Sequence, residues 1–427
     1  MLSLISPRDP DYRARLAALG RRTSAMPPAV EAAARDIVAQ VRAGGDAALR
    51  ALTAKFEART LDVLELPRQA WHAAAAEVAA PVRAALEEAA ARIRAYHAHE
   101  RYTSFSFEEG GVRLGCRYIP MERAGIYVPG GTALYPSTVL MTAIPARVAG
   151  VREVIMVTPG PSNEALAAAQ VAGVDRIFHI GGAQAIAALA YGTESVPRVD
   201  KIVGPGNAYV TAAKRLVFGD VGIDAIAGPT EIVVAADASV PASWVAADLL
   251  AQAEHDVLAA PILVAVGREV AEAVCAELAR QLPALPRRAI AAQAIKDWGL
   301  AIVVDSAAEA IAVVNLLAPE HAELALADAR ALAPEVTRAG AVFVGSHTPE
   351  SVGDYIAGPS HVLPTGGSAR FSSPLGVGDF IKRSSFIEYS AAALAAQSAH
   401  IERLTEVEGL EAHGRAVTIR HETRRGD

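Results

Sequence analysis

Cysteine is scarce. The 427 residues hold only Cys116 and Cys275, with no C-x-x-C pair, so neither a disulfide framework nor a thiolate zinc site can be built from them. A reducing, cytoplasmic setting is expected. A basic excess is also lacking: 40 Lys and Arg stand against 47 Asp and Glu, a net charge of −7, so the electrostatic footprint of a phosphate-backbone binder is missing and no nucleic-acid partner is expected. Long apolar runs are absent too. The longest clean one, Val257 to Val266, is roughly half the length that crosses a bilayer and contains Pro261; it reads as a buried strand with its approach, and no membrane association is expected. The opening segment reaches Arg8, Asp9, Asp11, Arg13 and Arg15 after a short apolar stretch, so it lacks the apolar core of a secretory signal and no export is expected.

What is present is the composition of a globular enzyme: 52% hydrophobic and 20% charged residues, with Gly and Pro scattered. At roughly one domain per 150 residues, two or three compact units are expected. The first hundred residues carry Ala, Leu, Arg and Glu at helical spacing, as in residues 29–41, before the helix breaker Gly44-Gly45. From Gly125 the texture changes to short β-branched runs ending in Gly or Pro, each followed by an Ala-rich helical stretch. That is the sign of βα units around a parallel sheet, so the fold class is α/β.

A weak repeat marks the rhythm. Val148-Ala149-Gly150-Val151 precedes a strand at 154–157, and Val171-Ala172-Gly173-Val174 precedes one at 176–180. A third strand, 201–203, closes on Gly204-Pro205-Gly206-Asn207, and a second series follows at 231–234, 262–266, 301–304 and 341–344. Two α/β modules are predicted, with residues 223–229 as the hinge because Gly228-Pro229 interrupts the pattern. Residues 345–378 are rich in Gly, Ser and Pro, and so long a loop is uncommon unless functional. Residues 391–420 read as a helix followed by a strand, a small tail unit.

Several polar residues stand out from this frame. On a helix predicted over 241–256, the apolar stripe through Val245 and Leu249 reaches Gln252 and His255, three apart and neighbours on one face. A lone histidine there is ordinarily a satisfied boundary residue, but imidazole and amide oxygen together suit a zinc-like ion. Glu320-His321 follows Pro319 after a predicted helix at 307–317. At a turn or helix start the two side chains can converge, and Glu and His suit general acid–base work near neutral pH; the plain alternative is a helix N-terminal Glu with a solvated His. Asp354 sits in Gly353-Asp354-Tyr355 with His361 beyond it, in a stretch whose default reading is a turn. Glu408 and His413 would be about 140° apart on a continuous helix, straddling a face. The glycine turns Gly130-Gly131-Thr132, Gly181-Gly182-Ala183-Gln184 and Gly204-Pro205-Gly206-Asn207 fall at strand ends, where backbone N–H groups can face a phosphate. The third glycine of a dinucleotide fingerprint is missing, yet three such turns at one sheet edge make a ligand crevice the favoured reading.

The strings Gly125-Ile126-Tyr127-Val128-Pro129-Gly130-Gly131, Gly181-Gly182-Ala183-Gln184-Ala185-Ile186, Val203-Gly204-Pro205-Gly206-Asn207, Gln252-Ala253-Glu254-His255-Asp256, Ala318-Pro319-Glu320-His321 and Gly358-Pro359-Ser360-His361-Val362-Leu363-Pro364-Thr365 together resemble the histidinol dehydrogenases, over nearly the whole chain. The resemblance implies zinc-dependent oxidation of L-histidinol through L-histidinal to L-histidine with two NAD, the last steps of histidine biosynthesis. It implies Gln252, His255, Asp354 and His413 as ligands of one zinc ion per subunit, with His413 reaching from the other subunit of a homodimer with shared active sites. Glu320 and His321 would be the catalytic pair. Thr230, Glu408 and His321 would hold the substrate together with the metal ligands Gln252, His255, Asp354 and His413, and Tyr127, Gln184 and Asn207 would contact NAD. The implied architecture is two Rossmann-like α/β modules with parallel-rich sheets. A helical N-terminal segment (1–23) precedes a metal and substrate domain (24–126 plus 230–374), an NAD-contacting domain (127–229) and a dimer-exchanged tail unit (375–427). Thr230, Ala322 and Ser360 depart from the family's usual Ser, Leu and Asn. They leave open an NAD-linked zinc dehydrogenase of another small polar alcohol; a zinc hydrolase and a non-catalytic ligand-binding protein are the readings from other classes.

Overall fold

The computed structural model describes residues 2–24, 26–130 and 135–422; Gly131 and Thr132 of the first glycine turn lie outside them. The chain divides into a larger unit, Met1–Glu100 with Met121–Phe380, and a smaller one, Arg101–Pro120 with Ile381–Asp427. β1 (Ser3–Ile5) opens the chain, and β2 (Phe105–Glu109) and β3 (Val112–Pro120) make a hairpin of the smaller unit. Then come β4 (Arg123–Tyr127), β5 (Glu153–Val157), β6 (Arg176–Phe178), β7 (Lys201–Val203) and β8 (Gly222–Ile223), followed by β9 (Glu231–Ala236), β10 (Ala260–Val266), β11 (Leu300–Val304), β12 (His321–Ala325) and β13 (Ala341–Val344). β14 (Ile381–Tyr389) returns to the smaller unit.

The larger unit is built on two parallel sheets, ordered β6-β5-β4-β7-β8 and β1-β11-β10-β9-β12-β13. β9 and β10 are apolar and buried almost throughout, as strands covered on both faces must be. In each sheet the chain winds outward one way from its first long strand and then resumes on the other side. Such a reversal opens a crevice at the carboxyl ends of the strands beside it. Between β4 and β7 that crevice is open. Between β9 and β12 the Asp237 carboxylate ties the two strand ends together, accepting from Ser239 N and Ala327 N, both at 2.9 Å.

The α/β class and both modules agree with the expectation, and several placements differ. Ile37, Val41, Leu49 and Leu52 of the helix Pro28–Glu57 share a core with Tyr127, Ile155, Phe178 and Leu189. The early helices therefore pack on the first sheet, their apolar stripe complementary to that sheet's helices. Gly45, at φ +51°, kinks the helix and does not end it. β1 pairs with β11, so the N-terminal segment also supplies an edge strand of the second sheet.

The smaller unit is a three-stranded antiparallel sheet, β14-β3-β2, with the helices Ala391–Glu408 and Glu411–Glu422. The end is thus helical where a strand was expected, and Gly409 at φ +68° separates the two helices. Phe107, Leu114 and Ile387 lie in register across the sheet, with Phe107 52% and Ile387 68% exposed. Among the described residues no helix is long and apolar enough to cross a membrane.

Gly204, at φ +114°, passes so close to β4 that a Cβ there would lie 2.2 Å from the Tyr127 carbonyl oxygen. Gly204→Ala is therefore expected to destabilise the larger unit by about 2–4 kcal/mol, read as a lowered thermal midpoint in calorimetry.

Candidate active site

The amino ends of β9 and β12 lie side by side, His321 pairing with Ile232. The helix Ala307–Leu317 is capped by Ser306, which accepts from Glu309 N, and ends at Ala318 in the left-handed region, so the chain enters β12 with Glu320 just before it. Glu320 and His321 meet a strand start, not the turn or helix start that was expected. Their side chains still approach, with Nδ1 of His321 3.8 Å from Oε2 of Glu320. The peptide groups of Glu231 hold both: its N–H donates to Glu320 Oε2 (3.1 Å), and its carbonyl accepts from His321 Nδ1 (3.0 Å). With the ring proton on Nδ1, Nε2 is a base, and it is buried without a hydrogen-bond partner. Thr230 Oγ1 donates to the same Glu320 oxygen at 2.6 Å. Burial pushes the Glu320 carboxyl up to about 8.

Behind this pair sits a set of metal-capable groups. Donor atoms of His255, Glu350 and Asp354 lie within 4.8 Å of one another. Gln252, fully buried, directs its amide N–H groups at both Glu350 oxygens while its carbonyl accepts from Glu231 N at 2.9 Å, the orientation in which both ends are satisfied. His255 has an exposed edge, yet the protein mass around it holds its imidazole below the ordinary range, in the neutral form a metal requires. His361 steadies Asp354, its Nδ1 donating to the Asp354 carbonyl at 3.1 Å. Glu350 escaped the sequence reading. It lies 3.4 Å from His321 Nδ1, and burial pushes its carboxyl up to about 8. Its signal was its position four residues before Asp354, one turn away on the same helix face. Glu323, two residues along β12 on the face of His321, bonds to Asp248 side chain to side chain; burial, with Asp248 beside it, pushes it up to about 10.

The second feature is the crevice at the carboxyl ends of β4 and β7. A cavity of about 720 Å³ is lined by Tyr127, Gln184 and Asn207, together with Glu57, Tyr135 and Asp256. Tyr127 Oη accepts from Gly182 N (3.1 Å), Gln184 Nε2 donates to Glu57 Oε1 (3.3 Å), and Asn207 Oδ1 caps the next helix through Tyr209 N and Val210 N. Asp256, next to His255, brings the cavity to the metal-capable cluster.

The structure therefore brings together Thr230, Gln252, His255, Glu320, His321 and Asp354, and separately Tyr127, Gln184 and Asn207. Glu408 and His413 lie in the smaller unit, both exposed, one ending the helix Ala391–Glu408 and the other in the helix Glu411–Glu422; they do not share the continuous helix considered from sequence. Of the three departures only Thr230 is in the site. Ala322 points into the core packed on the other face of β12, and Ser360 Oγ donates to the Met141 carbonyl at 3.1 Å.

Glu320 and Glu350 bind protons more tightly folded than unfolded. Their contribution to stability is present at acid pH and is lost as pH rises through about 8. His255 and His361, held down by burial, titrate below that window. The thermal midpoint of metal-free protein should fall between about pH 7 and pH 9, and Glu320→Gln with Glu350→Gln should flatten that slope in calorimetric melts.

The sequence profile of the family described as histidinol dehydrogenase matches residues 20–421. Histidinol dehydrogenases of Syntrophotalea carbinolica and Chromobacterium violaceum are each 51% identical, over 98% of this chain and 99% and 98% of theirs. The crystal structure of histidinol dehydrogenase from Elizabethkingia anophelis superposes with a TM-score of 0.92 at 34% identity, covering 100% of this chain and 99% of that one. With the profile, the relatives and the fold in agreement over essentially its full length, the chain belongs to the histidinol dehydrogenase family.

Proposed function

We propose that the protein oxidises L-histidinol through L-histidinal to L-histidine with two NAD, using one zinc ion per subunit, as a homodimer whose sites are shared. The observation that carries this reading is the unpartnered Nε2 of His321, buried beside Glu320 and next to the His255, Glu350 and Asp354 donors. Nitrogen and oxygen donors of this kind suit zinc. His255 and Asp354 would hold the ion with His413 of a second copy and with Gln252, whose amide must then rotate to turn its oxygen from Glu231 N toward Glu350 and the cluster, and Glu350 stands close enough to join or brace them. When bound, zinc orients the substrate's imidazole and amino groups and NAD accepts hydride.

The chain's own residues supply the rest. His321 Nε2 takes the proton of the alcohol, its tautomer set by the Glu231 carbonyl. Oxidation of the aldehyde requires addition of water, and the Glu320 carboxylate, held through Oε2 by Thr230 and Glu231 N, takes the proton of that water. Enclosure of the pair keeps the aldehyde from bulk solvent. Glu408 provides a carboxylate for the cationic amine of the substrate. The cross-strand row of exposed Phe107 and Ile387 flanking half-buried Leu114 supports assembly with a second copy through the smaller unit. The dinucleotide-sized crevice beside the acid–imidazole pair favours this reading over a hydrolase.

Wild-type protein supplied with L-histidinol should form two NADH per substrate consumed; a ratio of one would end the four-electron reading. His321→Asn should abolish NADH formation. Glu320→Gln should slow oxidation of histidinal by about 10²–10⁴-fold. In wild-type protein that step should accelerate as pH rises toward about 8, and Glu320→Gln should lose this limb. Mixing the inactive variants His413→Ala and His321→Asn should restore partial activity through hybrid dimers, and activity that stays absent in verified hybrids would rule out shared sites.

A further inference from the structure

The loop that edges the dinucleotide crevice is held from behind by a buried ion pair. Gly204-Pro205-Gly206-Asn207 leaves β7, and Pro205, Gly206 and Asn207 line the cavity. Such a loop has few side-chain atoms with which to fix its own path. Both backbone polar groups of Gly204 are instead taken by Lys214 and Asp224: the N–H donates to Asp224 Oδ2 (2.7 Å), and the carbonyl accepts from Lys214 Nζ (3.0 Å). Lys214 and Asp224 also bond to each other, with side chains only 3% and 6% exposed.

Lys214 stands on the helix Ala208–Val217, which Asn207 caps. Asp224 follows β8, where its N–H donates to Ile202 O (3.2 Å) and its Oδ1 accepts from Ala225 N (2.7 Å). From there residues 224–230 run directly to Thr230, and Gly228 N is fastened to Thr365 Oγ1 at 2.6 Å. One ion pair thus anchors both the crevice loop and the start of the segment that carries Thr230.

Burying two charges is expensive, and a well-packed apolar pair would serve stability as well or better. What an apolar pair cannot do is hold the N–H and the C=O of one glycine at once. Lys214 is also unsuited to bind the cofactor itself, because it lies behind the loop and does not line the cavity. We propose that Lys214 and Asp224 are positioning residues for the dinucleotide, acting through Gly204 to hold the loop in its binding form; this rests on the reading of the crevice as the NAD site.

The test is calorimetric titration of NAD into the zinc-loaded, full-length protein and into Lys214→Met with Asp224→Asn, a pair that leaves no buried charge. The NAD Kd should rise about tenfold, the equivalent of one or two lost hydrogen bonds, while zinc content and thermal midpoint stay near wild type. Lys214→Gln with Asp224→Asn keeps an amide donor toward Gly204 and should recover part of the affinity. If the first variant does not fold, this amide pair decides the matter, with about a threefold rise in Kd supporting the proposal. An unchanged Kd in a folded variant overturns it, as does a parallel loss of zinc and NAD. Wild-type protein that takes up no NAD overturns the crevice reading, and the proposal with it.

Discussion

The backbone of Glu231 is the interaction on which the site depends. Its N–H holds the Glu320 carboxylate and its carbonyl holds the His321 ring, so one residue at the start of β9 orients both members of the pair at the start of β12. Parallel pairing of the two strands makes this geometry rigid, because a shift of register would move every β12 side chain to the other face. The Glu231 carboxylate extends the arrangement by accepting from Gly366 N at 2.9 Å, which secures the glycine-rich loop beside it.

Around that frame the protein buries more acid than it neutralises by itself. Glu320, Glu323 and Glu350 all have carboxyls pushed upward by burial, and so does Asp248, which bonds to Glu323. Stored acidity of this kind is costly in a metal-free protein and is offset when a divalent cation enters. Thr230 makes the cluster adaptable. Its hydroxyl has one proton and lies within hydrogen-bond distance of both Glu320 Oε2 and the Gln252 amide oxygen, so it can satisfy only one of them at a time.

The two modules use opposite edges. The first has its crevice at the carboxyl ends of β4 and β7, whereas the second ties its strand ends together there through Asp237 and presents its functional groups at the amino ends of β9 and β12. Residues 224–230 connect the carboxyl edge of the first sheet to the amino edge of the second, so one short segment runs from Asp224, bonded to the crevice loop at Gly204, to Thr230, bonded to Glu320.

The sequence by itself determined the α/β alternation, since β-branched runs such as 201–203 and 341–344 lie within the observed strands and the helix 307–317 has its own cap. It also marked Gln252 and His255 by spacing, and Glu320, His321 and Asp354 by residue type. Those are local properties, set by propensity, period and turn chemistry. Tertiary structure alone decided that the helix Pro28–Glu57 covers the first sheet, that Glu350 stands against His321, that Glu231 orients the pair through its backbone, and that Lys214 and Asp224 meet at Gly204. In each case the partners are distant along the chain or joined through peptide groups that every residue possesses. Only the packing of strands and helices, which maximises burial and satisfies every polar group it can, selects among them.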